Sequence, residues 1–551
     1  MIRNLRNTLA VLFLVINFSG CVAAAPVKFY FRINQFGFLP GDYKTGVIIA
    51  ESDIAGKTFK VVENGSQKPV FSGSVGKNLG KYGSFGFTYK IDFSQVKTPG
   101  VYYVELGGEK SIPFKINSQL YNSLVDSLMI FFRIQRCGPT NPYMHDVCHL
   151  YDVYKVVGDE SVKSADLTGG WHDAGDYIKF LGTTAYTTYM LLFAYDFDKS
   201  KFDFDNNKNG VPDILEEARV GIDWMLRCNY SKYKLITQVQ DLTDHTVGWR
   251  LPEKDSLRYL RAGYIGLGKN QIGLYTAVMA LASRIWRDTF YDDDFADKCL
   301  TSAENIYSLR GEAPDVDVSQ TGMYQDTRFW GKLSLGAVEL YNTTKLNSFL
   351  DEAKLYADSA KSDYWWSWGD INSLAHYRLA KIEPRFQHYI LNNLIKFNNY
   401  RWNSLYEDGM APTWGTTNSL LGVALQAILY KDLTRVSIFD SLAVSQRDFV
   451  LGKNNWGVSF VFNIGKVFSR NIHHQVGFIK GNYLPGAVAA GPAPLSLLNN
   501  YKIERKNFAY DRFNLDTVKY YDDRMDFVTN EPTIGTNATA VFVFGYYSKR
   551  R

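Results

Sequence analysis

The run Gly169-Gly170-Trp171-His172-Asp173-Ala174-Gly175-Asp176-Tyr177-Ile178-Lys179-Phe180 decides how this chain is to be read. Asp173 and Asp176 stand three residues apart with only Ala and Gly between them. That spacing lets two carboxylates share one turn and point the same way. Such a pair can grip one water molecule, one carboxylate orienting it while the other accepts its proton. Asp-x-x-Asp alone is a weak signal, because many surface turns carry it. The Gly-Gly-Trp-His before it and the Lys-Phe after it make this run specific.

Upstream of this run the hydrophobic period is two. Val27, Phe29, Phe31 and Ile33 alternate with Lys28, Tyr30 and Arg32, and Phe85, Phe87, Tyr89, Ile91 and Phe93 alternate again. A third such run, 101–106, follows the turn signal Thr98-Pro99-Gly100. Short alternating runs broken by Gly and Pro predict a small β-sandwich of immunoglobulin-like size over 26–117. From 118 onward the period is helical. Val211, Ile214, Leu215, Ala218, Ile222, Met225 and Leu226 share one face, as do Leu274, Ala277, Val278, Leu281 and Ile285. Leu420, Ala424, Ala427 and Ile428 form another set. Residues 118–551 therefore predict one large, mainly α domain with long aromatic loops. Periodicity does not show how its helices close up.

The chain has 551 residues and a net charge of +5, with no charge run of note. That balance excludes a dedicated nucleic-acid binder, which needs a concentrated basic surface. Aromatics are abundant, with 36 Phe, 37 Tyr and 11 Trp. Flat apolar rings with polar edges suit sugars, and they suit any large core equally. Residues 1–24 read as an export signal: Arg3 and Arg6 precede an apolar run, 8–18, that falls short of the roughly 20 residues needed to span a bilayer. Phe18-Ser19-Gly20-Cys21 resembles a lipobox, which would make Cys21 a lipidated first residue; cleavage after Ala24 is the alternative. The expectation is an exported chain, a cell-surface or periplasmic lipoprotein or otherwise secreted, touching membrane only through that anchor and acting as a monomer. Cys228 and Cys299 are expected as buried thiols.

A second constellation lies near the C-terminus, Tyr520-Tyr521-Asp522-Asp523-Arg524-Met525-Asp526-Phe527-Val528-Thr529-Asn530-Glu531-Pro532-Thr533-Ile534-Gly535-Thr536-Asn537-Ala538. From Phe527 to Ala538 its single charged residue is Glu531. A carboxyl in neutral surroundings can have a raised pKa and serve as a general acid. Taken together, the two blocks resemble the two signatures of glycoside hydrolase family 9 (cellulase family E). Asp173, Asp176 and Lys179-Phe180 match the first; Tyr520, Asp522, Phe527, Glu531, Thr533, Asn537 and Ala538 match the second. Ile33-Asn34-Gln35-Phe36-Gly37-Phe38 is similar to the start of the Ig-like domain carried by one subgroup.

The resemblance implies an (α/α)6 barrel preceded by the sandwich, and hydrolysis by single displacement with inversion. It implies Asp176 as general base, Asp173 as holder of the attacking water and Glu531 as general acid, with acid and base roughly 6.5–9.5 Å apart. It also implies a substrate contact from His473; Tyr177 is a further candidate contact. Trp414, in a Trp-Gly-Thr-Thr-Asn loop, can stack on a sugar or sit in the core. One departure stands out: Gln475, also a candidate substrate contact, occupies the position where the family has Arg, and an amide cannot supply a charged fork of donors. Val467 also replaces a preferred Asn, Lys or Arg.

Two metal sites are expected. Residues 205–216 spell a twelve-residue calcium loop, with Asp205, Asn207, Asn209, the Val211 carbonyl, Asp213 and Glu216 at ligand positions and Gly210 at the turn. An ordinary Asn/Gly turn capping a helix is the alternative. Such a calcium would pin a loop near the cleft. Cys137, Cys148, His149 and His172 make a closed, structural zinc set of the kind the subgroup carries. A Cys137–Cys148 disulfide is the competitor. The expected activity is endo-acting cleavage of β-1,4-linked glucan or cellulose-type polysaccharide. An exo-acting β-glucosidase or β-glucosaminidase is the alternative, and a non-catalytic glycan binder the second.

Overall fold

The computed structural model describes residues 28–256, 261–317 and 326–550. The leader, Val27 and Cys21 with its lipobox lie outside the described residues. Strands Phe29–Arg32, Thr45–Ala50 and Phe87–Asp92 form one antiparallel sheet. Gly37–Phe38, Phe114–Ile116, Gly100–Leu106, Thr58–Glu63 and Pro69–Ser74 form a second, in that order. Alternate residues meet between the sheets: Ile48, Tyr89 and Ile91 from one, Phe59, Val61, Val104 and Phe114 from the other. This is the sandwich that the period-two runs predict.

The alternation on Phe29–Arg32 serves two cores. Phe29 and Phe31 pack onto the sandwich interior. Arg32 turns away, is buried, donates to Asn455 O at 2.8 Å and lies 4.5 Å over the Phe513 ring. Asn34 then donates to Asp448 Oδ1 at 2.8 Å, and Gln35 Oε1 accepts from Val467 N at 2.9 Å. The Asn34-Gln35 pair is thus a latch onto the helical domain. Val467 is held there by its backbone, and its side chain packs against the core of the helical domain.

Twelve helices of nine residues or more follow among the described residues: α1 (Asn122–Gln135), α2 (Leu181–Phe197), α3 (Asp213–Cys228), α4 (Lys269–Ile285), α5 (Asp293–Tyr307), α6 (Trp330–Thr344), α7 (Asn347–Ala360), α8 (Asn372–Ala380), α9 (Gln387–Trp402), α10 (Thr416–Thr434), α11 (Asp440–Val450) and α12 (Ile534–Tyr546). The even-numbered helices pack each on the next, and α12 closes back onto α2. The odd-numbered ones lie outside them, α3 on α2, α5 on α4, α7 on α6, α11 on α10 and α1 on α12. The chain is mainly α, an (α/α)6 barrel behind an Ig-like sandwich. No helix among the described residues is long and apolar enough to cross a membrane.

The one-faced pattern predicted for the helices holds for outer α3, where Ile214, Leu215, Ala218, Ile222 and Met225 are buried and Asp223 and Arg227 are exposed. It is too narrow for the inner ones. Residues 416–429 of α10 are buried without a break, because an inner helix touches neighbours on both sides and a second layer behind.

Candidate active site

The loops that precede the inner helices gather at one end of the barrel. The first of them is 169–180, which leads from α1 into α2. Its glycines are required by geometry: Gly170 has φ +71, and a Cβ there would lie 2.6 Å from the Trp224 ring. Trp171 is fully buried and donates from Nε1 to Glu217 Oε1 at 2.7 Å. Glu217 also receives Arg136 at 3.1 and 2.7 Å, so one buried carboxylate on α3 fixes the start of the loop. Gln135, the last residue of α1, donates to His172 O at 3.1 Å and Ala174 O at 2.6 Å.

The second arm is the turn before α12. Ile534 N donates to Asp173 O at 3.0 Å, and Gly175 N donates to Glu531 Oε1 at 3.1 Å. Asp173, Asp176 and Glu531 therefore share one groove. A Cβ on Gly175 would lie 2.3 Å from His473 O and 3.1 Å from Glu531 Oε1. The glycine of Asp-Ala-Gly-Asp is there because three chain segments converge on it. Gly175→Ala is expected to push these segments apart and cut turnover by about 10²-fold, measured against an unchanged far-ultraviolet circular dichroism spectrum.

The carboxyl of Glu531 is pushed up to about 8, first by burial, then by the neighbouring Asp176 and Asp173 charges; the Gly175 N–H works the other way. At neutral pH it carries its proton. Asp176 accepts from Ile178 N at Oδ1, 3.1 Å, and contacts His245 Nδ1 through Oδ2, 2.9 Å. One lone pair on each oxygen remains for other partners. His245 is pushed up to about 9, chiefly by its bond to Asp176, against the effect of partial burial. Its loop is pinned by Asp244, which accepts from Tyr177 N at 2.9 Å and pairs with Arg250. Sequence reasoning missed His245, because 240–250 carries no local motif.

His473 lies beside Glu531 and Asp176, with Nδ1 2.6 Å from Arg524 O. A carbonyl accepts only from N–H, so Nε2 is left as an acceptor. Burial lowers its pKa and keeps the ring neutral. Around it the rings form a wall: Trp249 at 5.2 Å and Phe527 at 5.9 Å, with Tyr501 5.1 Å from Phe527 and 5.4 Å from Trp414. Trp414 is 41% exposed, which removes it from the core.

Two expected substrate contacts are corrected. Tyr177 is 1% exposed; its ring packs 4.8 Å from His172 and 5.6 Å from His149, and its hydroxyl reaches Arg250 O. Although it neighbours Asp176 in sequence, its side chain goes into the protein. Gln475 is 5% exposed; its N–H donates to Gly175 O at 3.0 Å and its Oε1 accepts from Arg250 N at 3.0 Å. It is a clamp joining three loops, a task that needs a neutral acceptor and no charged fork.

Cys137, Cys148, His149 and His172 come together as expected. All four are buried, and their ligand atoms lie within 4.8 Å of one another. Both cysteines are free thiols, with sulfurs 3.9 Å apart, so the disulfide alternative is not what forms. His149 contacts Asp255 Oδ2 at 3.0 Å through its other nitrogen. The cluster can hold a metal ion. Cys228 and Cys299 are buried free thiols.

The 205–216 loop gathers its oxygens by hydrogen bonds. Asp205 accepts from Gly210 N at 2.8 Å, and Glu216 Oε2 from Asn207 at 2.8 Å and Asn209 at 3.3 Å. Asp213 is raised by burial, then also by the Glu216 and Asp205 charges after two opposing bonds from Asn206. The loop's expected place near the cleft is corrected. It follows the C-terminal end of α2, a helix about 25 Å long, whereas the loop that carries Asp173 and Asp176 precedes the N-terminal end. Asn206 ties it instead to Asp126 on α1, at 3.2 Å.

A family model for the cellulase N-terminal Ig-like domain matches residues 29–111. A cellodextrinase of Butyrivibrio fibrisolvens is 26% identical over 559 residues, covering 93% of this chain and 98% of its own. A xyloglucan-specific endo-β-1,4-glucanase of Bacteroides ovatus is 24% identical, covering 93% and 92%. The crystal structure of a metagenome-derived family 9 endoglucanase superposes with a TM-score of 0.81 at 26% identity, covering 95% and 99%. The model for glycosyl hydrolase family 9 matches residues 121–544, the whole barrel from α1 to α12, and the chain belongs to that family.

Proposed function

We propose that this enzyme hydrolyses β-1,4-glucosidic bonds within glucan chains, by single displacement with inversion. The observation that carries the proposal is the shared groove in which a proton-bearing Glu531 and an Asp176 held by His245 stand together. Asp176 takes the proton of the attacking water, which Asp173 helps to hold. Glu531 gives its proton to the departing glycosidic oxygen. His245 positions Asp176, and His473 Nε2 accepts a sugar hydroxyl. Trp414, Tyr501 and Trp249 offer faces for successive rings, which suits a chain bound along a cleft. The relatives named as endo-β-1,4-glucanase, endoglucanase and cellodextrinase support a glucan substrate. The test is digestion of cellohexaose followed by proton nuclear magnetic resonance and product sizing. The expected first products are α-anomers of mixed length. A first product in the β configuration would refute inversion, and glucose alone from the start would refute endo action.

The metal bound at Cys137, Cys148, His149 and His172 is zinc on this proposal. Two thiols and two imidazoles suit its tetrahedral preference, and Asp255 behind His149 is the usual orienting partner. It would tie the segment after the sandwich to the catalytic loop. One zinc per chain is expected by elemental analysis, and Cys148→Ser should lose it with a fall in Tm on the order of 10 °C. Calcium in the 205–216 loop is supported by three carboxylates close enough together for the Glu216 and Asp205 charges to raise Asp213. Its role would be to brace the far end of the barrel against α1. Export as a lipoprotein rests on residues 1–24 and Cys21. Every group of the site comes from one chain, so a monomer suffices.

A further inference from the structure

His149 turns Nδ1 toward the cysteine–histidine cluster, 3.1 Å from His172 Nε2 and 3.4 Å from Cys137 Sγ. Its other nitrogen faces Asp255 Oδ2 at 3.0 Å. A carboxylate only accepts, so the proton sits on Nε2 and Nδ1 keeps its lone pair for a metal. Asp255 Oδ1 accepts in turn from Arg250 Nε at 2.7 Å. The same guanidinium donates from Nη2 to Asp244 Oδ1. Asp244 Oδ2 accepts from Tyr177 N at 2.9 Å, the amide that follows Asp176. His245, the next residue after Asp244, contacts Asp176 Oδ2 at 2.9 Å. Hydrogen bonds thus run without a break from the cluster to both holds on Asp176, the amide after it and the residue beside its imidazole.

Arg250 joins the two ends. Asp244 and Asp255 are buried, and a carboxylate so placed is costly unless it is paired. One guanidinium serves both because its donors are spread over a flat fork, whereas a lysine ammonium is a single point. The link matters most for the turn Leu242–Thr246. Asp241, ahead of that turn, accepts from the Tyr264 hydroxyl at 2.8 Å. Within the turn Asp244 alone is buried, while Leu242, Thr243, His245 and Thr246 are exposed. Packing therefore does little to press His245 onto Asp176, and the Asp244–Arg250 pair does much. Arg261 donates to Tyr177 O at 2.8 Å, so the backbone after Asp176 has a further support of its own.

We propose that Arg250 is a positioning residue that carries the order of the Cys137, Cys148, His149 and His172 cluster to the His245 turn, so that a metal-loaded cluster keeps the imidazole on Asp176. The inference rests on the metal and hydrolase readings and adds to them a residue that touches neither the cluster nor the catalytic carboxylates. Its test reads the imidazole, not turnover. The ring-proton titration of His245 is followed by nuclear magnetic resonance in wild type and in Arg250→Lys, each loaded with one zinc and each stripped with phenanthroline in calcium-containing buffer. Lysine keeps the charge and loses the fork. The titratable groups that act on His245 are Asp176, Glu531, Asp244 and His473, and this substitution changes none of them. The expected midpoint in stripped wild type is about one pH unit below that in loaded wild type. In Arg250→Lys it should lie near the lower value with or without zinc. Equal midpoints in loaded and stripped wild type overturn the coupling. The same zinc-dependent drop in both proteins overturns Arg250 as its carrier. Should the stripped chain unfold, the loaded pair still decides, because a loaded Arg250→Lys that titrates like wild type overturns the inference. Should the lysine variant not fold, Asp244→Asn takes its place, since it keeps an acceptor for Tyr177 N and gives up the ion pair. A wild type that takes up no zinc overturns the metal reading and this inference with it, whereas zinc uptake without a shift overturns the inference alone. Failure to cleave any β-1,4-glucan overturns the hydrolase reading, and the titrations still decide the link.

Discussion

Glu531→Gln is expected to lower kcat on β-1,4-glucan by about 10³-fold, to leave KM nearly unchanged, and to raise Tm at pH 9. The first effect follows from removing the proton that the leaving oxygen needs, while an isosteric amide keeps the groove's shape. The second follows from where that proton sits. Burial and the Asp176 and Asp173 charges hold the Glu531 carboxyl at about 8, above its ordinary value of 4.5. The folded chain therefore binds this proton more tightly than the unfolded one. The stability it contributes is fully present below about 4.5 and is lost as pH rises through about 8. Above that, wild type holds a charged carboxylate in a poor place, and the Gln variant does not. The gap should reach the order of 2 kcal/mol, less than the full shift implies because the side chain is partly open to cleft water. In thermal melts of both proteins between pH 4 and 9, the gap should begin to open above about pH 4.5, where the unfolded carboxyl ionises, and be full near pH 8. Parallel curves would remove the claim that Glu531 is protonated at neutral pH, and full activity in the variant would remove it as the acid.

The sandwich and the two carboxylate blocks were legible because each rests on a local pattern: alternation in strands such as Phe87–Asp92, and fixed spacings around Asp176 and Glu531. Closure of the helices was not. The residues of α10 look alike on every side because inner helices have no solvent face, so nothing in their order tells which neighbour they meet. It was the resemblance, not the periodicity, that implied the barrel. The metal cluster was legible from residue type, since thiols and imidazoles are few enough to be matched over long separations. His245 was not, because antiparallel pairing of Lys179–Phe180 with Ile236–Val239 is what brings its loop under Asp176. Tyr177 shows the opposite error. Proximity in sequence to a catalytic residue says little about direction, since neighbouring side chains in an irregular loop can point opposite ways. Gln475 shows that a departure from a family position can mark a new structural task, here a clamp between Gly175 and Arg250.

Asp176→Asn is expected to cost about 10³-fold in kcat and to return His245 from about 9 toward its ordinary 6.5. The elevation of His245 comes first from its hydrogen bond to Asp176, then from the Asp176 charge after an opposing burial effect, and only then from Glu531 and Asp244. An asparagine removes the two largest favourable causes at once. The same substitution withdraws the leading charge that keeps the proton on Glu531, so the alkaline limb of any residual activity should move to lower pH. Asp173→Asn is the discriminating control. Asp173 contributes to holding the Glu531 proton but is not among the causes that raise His245. Both variants should lose turnover, yet only Asp176→Asn should shift the His245 ring-proton titration seen by nuclear magnetic resonance. A His245 that titrates alike in all three proteins would mean that the imidazole does not hold the base. The groove would then keep its acid and lose the partner that places Asp176 to deprotonate water.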